Sequence, residues 1–347
     1  MSSLLERLKE RIAREGSMSF RDFMAVALYD SEKGYYTVGA RIGERGDFVT
    51  SPQVSPAFAA SVAKRFREDA ARLTGPLDFV EAGAGEGRFL EDFAAALSRQ
   101  DPATLERVRW TAIERSPSAR ASLERLRLPA ALRILESAEG LADGSVTGWI
   151  FSNELYDALP VVRVVGTAGG LAELRVGLSG GELAWVRAPA PAAFAEHLAR
   201  FGVTLETDQA GEISFAAAPL HRRFARALAR GRLVAFDYGH RASVLYHPLA
   251  RRQGTLAVHF AGRRRGDPLS RPGEMDLTAH VNWDDLQAAG EEEGLVSEPI
   301  ARQGRYLTEA GLFEFAESQA EKWRAYRLVD PEGMGEELSV LVQSRGL

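Results

Sequence analysis

A glycine-rich turn constrains what this chain can fold into more than any other part of its sequence. The apolar segment 77–81 predicts a short buried strand, and 89–97 has the apolar spacing of a helix. Glycines at such a junction let the backbone turn tightly and let a ligand approach without an intervening side chain. The sequence therefore predicts a nucleotide-binding turn that contains Gly83, Gly85 and Gly87.

The segments after this turn continue to alternate between strand and helix patterns. Strands are predicted at 108–114, 132–135 and 147–152, and a helix is predicted over 118–126. Strands that alternate with helices at this spacing form a parallel sheet with both faces covered and right-handed crossovers. The pattern indicates an α/β fold with a Rossmann-like sheet, preceded by an N-terminal helical region.

The pattern changes after this first run of strands and helices. Alternating apolar residues, broken by glycine pairs at 169–170 and 180–181, are typical of antiparallel hairpins. The long segment 31–52 is rich in glycine and aromatic residues, which is typical of a binding loop or a lid. We expect four regions: N-terminal helices and this loop at 1–75, the first half of the core at 76–160, an inserted accessory subdomain at 161–218, and the second half of the core with C-terminal helices and a strand at 219–347. Helix is predicted over residues 1 to about 30 in the first region and over 309–326 in the last.

Composition excludes several classes of protein. No cysteine occurs among the 347 residues, which excludes disulfides, thiolate zinc sites and a cysteine nucleophile. The formal net charge of -5 opposes broad attraction to a polyanion, so no nucleic-acid partner is expected and the arginine run at 263–265 is interpreted as a solvated loop. No apolar run approaches the ~20 residues that span a bilayer. We expect a cytoplasmic protein, and a homodimer stays open.

Two acidic residues distinguish this turn from a dinucleotide site. The spacing is G-x-G-x-G, whereas a dinucleotide site normally has G-x-G-x-x-G, and Glu81 precedes the first glycine by two residues. A carboxylate suits a methylsulfonium cofactor, which has no pyrophosphate but carries a cationic ammonium and sulfonium. Glu114 ends the next predicted strand, where an acid accepts ribose hydroxyls and would repel a ribose phosphate. The alternative is a simple tight turn with Glu114 as a surface acid.

Polar residues follow two further predicted strands. Asn153, Glu154 and Asp157 come after 147–152, and ligands of such sheets lie beyond the carboxyl ends of the strands. These residues are therefore candidates for contacts with the cofactor or the acceptor, although Asp157 could equally cap a short helix. His240 follows the strand predicted at 231–237 and has no metal-ligating partner at a useful spacing, so no metal site is expected.

Six segments, in order, make the chain resemble the MidA family. Members of that family are class I S-adenosylmethionine-dependent methyltransferases, and the mitochondrial members are respiratory complex I assembly factors that methylate an arginine of a complex I subunit. The resemblance implies this fold, this cofactor and a protein substrate such as a complex I subunit. The segments are GDFVTSP at 46–52, EAGAGEG at 81–87, SNELYDALPV at 152–161, DYGH at 237–240, DLTAHVNW at 276–283 and MGE at 334–336.

The resemblance also implies roles for particular residues. Glu154 and Asp157 are the predicted catalytic pair, which would hold an arginine guanidinium by charge-assisted hydrogen bonds. The predicted acceptor pocket comprises Tyr36, Tyr156, Tyr238 and His240. The predicted cofactor-binding residues are Gly46, Phe48, Thr50, Ser51, Pro52, Glu81, Gly83, Gly85, Gly87, Glu114, Arg115 and Asn153.

This sequence departs from the family pattern at two places. Ala84 stands where the family usually has proline, and Leu155-Tyr156 replaces a phenylalanine-rich segment. Neither change removes a group that methyl transfer needs, but the second lies where an acceptor pocket would form. Two alternative functions stay open: an assembly chaperone that binds the cofactor without turnover, and an NAD-dependent oxidoreductase, which the glycine spacing disfavours.

Overall fold

The computed structural model describes residues 3–39, 49–260 and 266–347. Its backbone divides into two compact units. The first comprises Met1–Phe48, Tyr156–Ala218 and Gly239–Asp284, and the second comprises Val49–Leu155, Pro219–Tyr238 and Asp285–Leu347. Within the described ranges, no helix combines the length and the apolar character that crossing a bilayer requires.

The helices alternate with strands over much of the chain. Two short 3-10 helices occur at Ala138–Gly140 and Leu312–Phe315. The α-helices are α1 (Leu4–Glu15), α2 (Phe20–Tyr29), α3 (Ser51–Val54), α4 (Pro56–Ala70), α5 (Arg88–Gln100), α6 (Pro102–Leu105), α7 (Pro117–Leu123), α8 (Ala192–Ala199), α9 (Ala217–Ala227), α10 (Ala242–Leu245), α11 (Trp283–Glu292), α12 (Gln303–Glu309), α13 (Gln319–Val329) and α14 (Met334–Glu337).

The strands belong to three sheets. They are β1 (Met18–Ser19), β2 (Leu77–Ala82), β3 (Val108–Ile113), β4 (Leu132–Leu135), β5 (Val146–Asn153), β6 (Val162–Thr167), β7 (Gly170–Ser179), β8 (Glu182–Pro189), β9 (Ala210–Ile213), β10 (Leu228–His240), β11 (Ala257–His259), β12 (Asp276–Thr278), β13 (Val281–Asn282), β14 (Val296–Ser297), β15 (Ala301–Arg302) and β16 (Leu338–Arg345).

The second unit is built on the largest sheet. Its main path runs β14-β16-β10-β5-β2-β3-β4. Strands β10, β5, β2, β3 and β4 are parallel, and β16 is antiparallel to β10 and to β14. From β2 the chain proceeds to β3 and β4 on one side and later to β5 and β10 on the other. The strand order therefore reverses between β2 and β5, and ligands of such sheets bind at that reversal, beyond the carboxyl ends of the strands.

Aromatic side chains form the core beside this sheet. The rings of Phe79 and Phe93 have centroids 4.1 Å apart, and those of Phe89 and Phe151 lie 4.3 Å apart. All four side chains are buried, together with residues of α4 and α5. Burying a phenylalanine side chain contributes about 1.5–3 kcal/mol. The strand and the helix on either side of the glycine turn are thus held together by a packed core.

The first unit contains an antiparallel sheet whose main path runs β1-β7-β6-β9. Strand β8 lies off this path and also pairs with β7. The hairpins predicted from the glycine pairs are confirmed, since a turn at 168–169 joins β6 to β7 and Gly180 and Gly181 join β7 to β8. Gly170, which begins β7, and Gly180 and Gly181 have positive φ. The sequence pattern predicted only helix before residue 30. That prediction was wrong at β1, because Gly16, with a φ of 85°, ends α1 and lets Met18 and Ser19 join the sheet.

The C-terminal helices also differ from the prediction. A helical region was expected to run over 309–326, but α12 ends at Glu309 and α13 begins only at Gln319. Gly311 has a φ of 80°, a conformation that ends a helix readily when the residue is glycine. Ser318 then caps α13 by accepting a hydrogen bond from the Glu321 N–H.

Candidate cofactor and catalytic site

The three glycines of the turn after β2 have different structural roles. All have positive φ: 73° at Gly83, 53° at Gly85 and 86° at Gly87. A Cβ atom added to Gly87 would lie 2.2 Å from Cδ1 of Leu126, whereas one added to Gly85 would meet no atom within 4 Å. Gly87 therefore allows close packing of the helix, while Gly85 leaves an open approach to the backbone.

Glu81 lies at the end of β2 and is 4% exposed. Among the described residues, its buried Oε2 atom has no hydrogen-bond partner. Burial, and then the nearby charge of Glu114, raise the pKa of Glu81 well above its usual value. A buried carboxylate oxygen without a partner is energetically unfavourable. A ligand with a cationic ammonium group would supply the missing partner, so this residue fits a methylsulfonium cofactor.

Glu114 follows β3 and holds two backbone segments. Its Oε2 accepts a hydrogen bond from the Gly85 N–H at 2.8 Å, and its Oε1 accepts one from the Ser116 N–H at 2.7 Å. A carboxylate can accept about four hydrogen bonds, so these contacts leave capacity for ribose hydroxyls. The side chain of Arg115 is exposed, and its carbonyl accepts a bond from Arg120 at 2.6 Å. Glu114 thus holds the turn at Gly85, the glycine whose backbone a ligand can approach.

Glu154 follows β5 in a strained backbone conformation. Its φ is 51°, which costs about 1–3 kcal/mol for a residue other than glycine. The Glu154 N–H donates to the Phe236 carbonyl at 2.9 Å. Its Oε1 accepts hydrogen bonds from Asn153 Nδ2 at 3.0 Å and from the Ser51 N–H at 3.3 Å. The surroundings therefore fix both the backbone and the carboxylate of this predicted catalytic residue.

Asp237 supports the same turn, and sequence reasoning missed it. The residue is fully buried at the end of β10. Its Oδ2 accepts a hydrogen bond from the Leu155 N–H at 3.0 Å, and its Oδ1 accepts one from the Tyr238 N–H at 2.8 Å. The segment 237–240 had been selected, but only Tyr238 and His240 were assigned roles. A carboxylate at the end of a parallel strand was the signal that could have identified Asp237.

The predicted cofactor-covering segment is described only in part. Gly46 and Phe48 lie outside the described residues. Thr50 precedes α3, and its N–H donates to Gln53 Oε1 at 3.4 Å, while Pro52 is buried in α3. The Ser51 hydroxyl donates to Gln303 Oε1 at 2.9 Å. The role of Ser51 in cofactor binding stays a prediction, and in the described structure its hydroxyl is bound to Gln303.

Four other predicted residues belong to the first unit. The Tyr36 hydroxyl donates to Asp276 Oδ1 at 2.9 Å. Burial, and then the charges of Asp276 and others including Asp157, raise the pKa of Tyr36 well above its usual value, so this phenol stays protonated. Tyr156 and Asp157 are buried, and Asp157 lies in a turn, so the helix it might have capped does not form in the described chain.

His240 contacts an arginine in the first unit. Its Nε2 lies 2.8 Å from Arg251 Nη2. A guanidinium can only donate, so Nε2 is the acceptor and carries no proton. The ring centroid of His280 lies 5.4 Å from that of His240. Over the described ranges, no three His, Cys, Asp or Glu side chains are grouped as they would be around a metal ion.

Comparisons of the sequence relate the chain to methyltransferases. A family model for S-adenosyl-L-methionine-dependent methyltransferases matches residues 58–300. The mitochondrial protein arginine methyltransferase NDUFAF7 homolog of Drosophila melanogaster is 25% identical over 328 residues, which cover 85% of this chain and 71% of that protein. The human mitochondrial protein arginine methyltransferase NDUFAF7 is 24% identical over 344 residues, which cover 90% and 74%.

A comparison of structures gives a similarity over nearly the whole chain. A crystal structure from Burkholderia thailandensis with S-adenosyl-homocysteine bound superposes with a TM-score of 0.88 at 30% identity, covering 99% of this chain and 92% of that one. A second crystal structure from the same organism gives a TM-score of 0.86 at 29% identity. The predicted Rossmann-like class I methyltransferase fold is thereby confirmed.

Proposed function

Because the chain belongs to this family of S-adenosyl-L-methionine-dependent methyltransferases, we propose that it methylates an arginine side chain of a protein. S-adenosyl-L-methionine is its cofactor. The observation that carries the proposal of a guanidinium acceptor is the carboxylate of Glu154, which is held in a strained turn beyond β5. Two relatives named protein arginine methyltransferases, at 24% and 25% identity, support the choice of acceptor.

The residues around the glycine turn are proposed to bind the cofactor. Glu81 would pair with the cationic ammonium, Glu114 would accept the ribose hydroxyls, and the open face of Gly85 would let the cofactor approach the backbone. The bound cofactor supplies a methyl group on a positively charged sulfur, which is an excellent leaving group. The remaining predicted contacts, Arg115 and Asn153 among them, are part of the same proposal.

Glu154 is proposed to prepare the acceptor nitrogen. A guanidinium is delocalised and always protonated, which makes it a poor nucleophile. A carboxylate that accepts its N–H groups draws positive charge toward itself and orients the nitrogen. As the new N–C bond forms, that nitrogen loses one proton, and Glu154 is the proposed acceptor of it. The product remains a guanidinium cation, and Asp157 is the proposed second carboxylate.

The family resemblance supports a choice of acceptor. We propose that it is an arginine of a protein such as a subunit of respiratory complex I. Residues proposed to line the acceptor pocket are Tyr36, Tyr156, Tyr238 and His240. Methylated arginines in the host proteome should then change at one subunit when the gene is deleted, which quantitative mass spectrometry would measure.

Glu154→Gln tests the proposed chemistry. The amide keeps the shape of the side chain but carries no negative charge to stabilise the guanidinium and cannot accept its proton. The rate of methylation should therefore fall by about 100-fold or more. Affinity for S-adenosyl-homocysteine should stay within about threefold, since Glu154 is assigned to the acceptor. Methyl transfer is measured with radiolabelled cofactor and an extract from cells lacking the gene, and affinity is measured by calorimetry.

Glu173→Gln is the matched control for this substitution. Glu173 is a buried glutamate in the first unit whose Oε2 accepts from Arg175 at 2.9 Å. This variant should lose stability but keep its rate of methylation per folded molecule. Wild-type methylation by Glu154→Gln would contradict the proposal, and cofactor binding by a wild-type protein that methylates nothing would favour the assembly chaperone.

A further inference from the structure

Gln303 is a fully buried polar residue to which the proposed function assigns no role. It is the first residue of α12, and it contacts three separate segments of the second unit. Its Oε1 lies 2.9 Å from the Ser51 hydroxyl, and its Nε2 lies 3.0 Å from the Leu328 carbonyl and 3.4 Å from the Met334 carbonyl. One amide therefore links α3, α13 and α14.

These contacts determine the direction of each hydrogen bond. Backbone carbonyls can only accept, so the NH2 group of Gln303 must face Leu328 and Met334. The amide oxygen then faces Ser51, whose hydroxyl must be the donor. Reversing the amide would bring its oxygen against two carbonyl oxygens. The orientation of the Gln303 side chain is therefore fixed. Its bond to Ser51 is its link to α3.

Ser51 connects Gln303 to the proposed catalytic carboxylate. Its side chain donates to Gln303, and its backbone N–H donates to Glu154 Oε1 at 3.3 Å. Both bonds belong to a single residue that is itself fully buried. A shift of Ser51 would alter the distance from its N–H to Glu154. Since α3 has only four residues, its own helical hydrogen bonds do little to hold Ser51 in place.

The Met-Gly-Glu segment near the C-terminus supports the same amide. The Met334 carbonyl accepts from Gln303, and Gly335 packs against the backbone of Val329. A Cβ atom on Gly335 would lie 2.4 Å from the Val329 carbonyl carbon, so only glycine allows this close approach. This packing places the Met334 and Leu328 carbonyls on the same amide and gives the late motif a structural role.

We propose that Gln303 is a positioning residue that acts through Ser51 to hold the carboxylate of Glu154. This inference rests on the proposed function of Glu154. Gln303 is itself not among the residues proposed to bind the cofactor or the acceptor, so we expect it to act on the position of Glu154 and not by contact with either molecule. A misplacement of about 1 Å near a reacting group can lower a rate by about 100-fold.

The test compares Gln303→Leu, Ser51→Ala and the double variant with the wild type. Each single variant should lower kcat by roughly 10- to 100-fold at saturating S-adenosyl-L-methionine, and Gln303→Leu should change the KM for S-adenosyl-L-methionine less than it changes kcat. The double variant should be no slower than the slower single variant, because both substitutions break the same link.

Gln343→Leu is the matched control. Gln343 is a fully buried glutamine of the same unit, and its amide contacts His221, Gln287 and Ser297. Its loss should lower the melting temperature and leave kcat unchanged. A wild-type kcat in Gln303→Leu, or additive losses in the double variant, would overturn the inference. If Gln303→Leu does not fold, Ser51→Ala decides in the same way. A wild-type protein without methylation would instead overturn the proposed function.

Discussion

Two glutamates at the same edge of the sheet are stabilised in different ways. Glu81 is buried with a raised pKa and an oxygen that lacks a partner among the described residues. Glu154 is partly exposed, accepts two hydrogen bonds and lies in a left-handed backbone conformation. The first arrangement suits a cationic ligand that completes the site. The second suits a group that must keep its position while another molecule reacts.

Glu81→Gln should separate cofactor affinity from stability. The neutral amide loses a charge-assisted bond to the cofactor, which is typically about 1.5–3 kcal/mol, so affinity for S-adenosyl-homocysteine should fall by roughly 10- to 100-fold. Burial raises the pKa of Glu81 in the folded protein. At a pH above the usual pKa of a glutamate, the buried carboxyl therefore lowers the free energy of unfolding. The ligand-free variant should therefore melt at the same temperature as the wild type or higher at pH 8.

Glu212→Gln is the control for that experiment. Glu212 is also a buried acid with a raised pKa, but it belongs to the first unit, where it forms an ion pair with Arg163 and accepts a hydrogen bond from the Thr255 N–H. This variant should melt at a lower temperature and bind S-adenosyl-homocysteine normally. Calorimetry and thermal melting measure both properties. A Glu81→Gln protein with wild-type affinity would remove Glu81 from the proposed cofactor site.

Sequence patterns can propose residues for this site more readily than they can propose the partners of those residues. The glycine turn, Glu81, Glu114 and Glu154 stay predicted site residues, and each lies at or just beyond the end of a strand whose apolar pattern is local. The bond between Ser51 and Gln303 joins residues 252 positions apart. No local periodicity indicates such a pairing, and a buried glutamine has no sequence signature of its own. The partners of the site were for this reason visible only in the structure.

At the scale of elements, the regular strands were predictable and the short ones were not. The strand predicted at 132–135 coincides with β4, and the one predicted at 77–81 differs from β2 by one residue. The two-residue strands β1, β13, β14 and β15 are too short to show periodicity. They form because a longer strand offers unpaired backbone groups, as β7 does to Met18 and Ser19.

The turn between β2 and α5 offers a paired test of two glycines. Gly87→Ala should destabilise the protein by at least about 2 kcal/mol, since a left-handed conformation costs roughly 1–2 kcal/mol in alanine and the new Cβ would lie 2.2 Å from Leu126. Gly85→Ala meets no neighbour within 4 Å, so only the conformational cost applies. Its Cβ would instead project where the cofactor is proposed to approach, so affinity should fall more than stability.

Urea unfolding and calorimetry with S-adenosyl-homocysteine would measure the two variants side by side. The expected result is a crossed pattern, with the larger loss of stability in Gly87→Ala and the larger loss of affinity in Gly85→Ala. Equal losses of affinity after correction for folding would mean that Gly85 has no special relation to the ligand.

At the scale of the whole molecule, segments far apart in sequence build each unit. The first unit combines Met1–Phe48, Tyr156–Ala218 and Gly239–Asp284. Its contacts include the bond from Tyr36 to Asp276, which spans 240 positions. Hydrophobic periodicity reports which face of an element is buried but not which partner buries it. The four regions expected from sequence are contiguous stretches of chain and stay a prediction. The two units are instead defined by which segments pack against each other.

The folded state as a whole should depend on pH through His221. This fully buried residue contacts Gln343 Oε1 at 2.7 Å, and burial lowers its pKa from 6.5 to about 4. Between these values the unfolded chain binds a proton that the folded protein does not, so stability rises with pH. The free energy of unfolding is therefore not reduced by His221 above pH 6.5. It falls by up to about 3 kcal/mol as the pH falls toward 4.

His221→Gln removes this titration while keeping a donor toward Gln343. Urea unfolding at several pH values between 4 and 7 should give a flatter dependence of the unfolding free energy on pH than in the wild type. The exposed His247 provides the control, because His247→Gln should leave the wild-type dependence unchanged. Equal slopes in the wild type and His221→Gln would mean that His221 takes up its proton in the folded protein over the same pH range as in the unfolded chain. The network that joins α9, α11, β14 and β16 through Gln343 would then have to accommodate a buried charge.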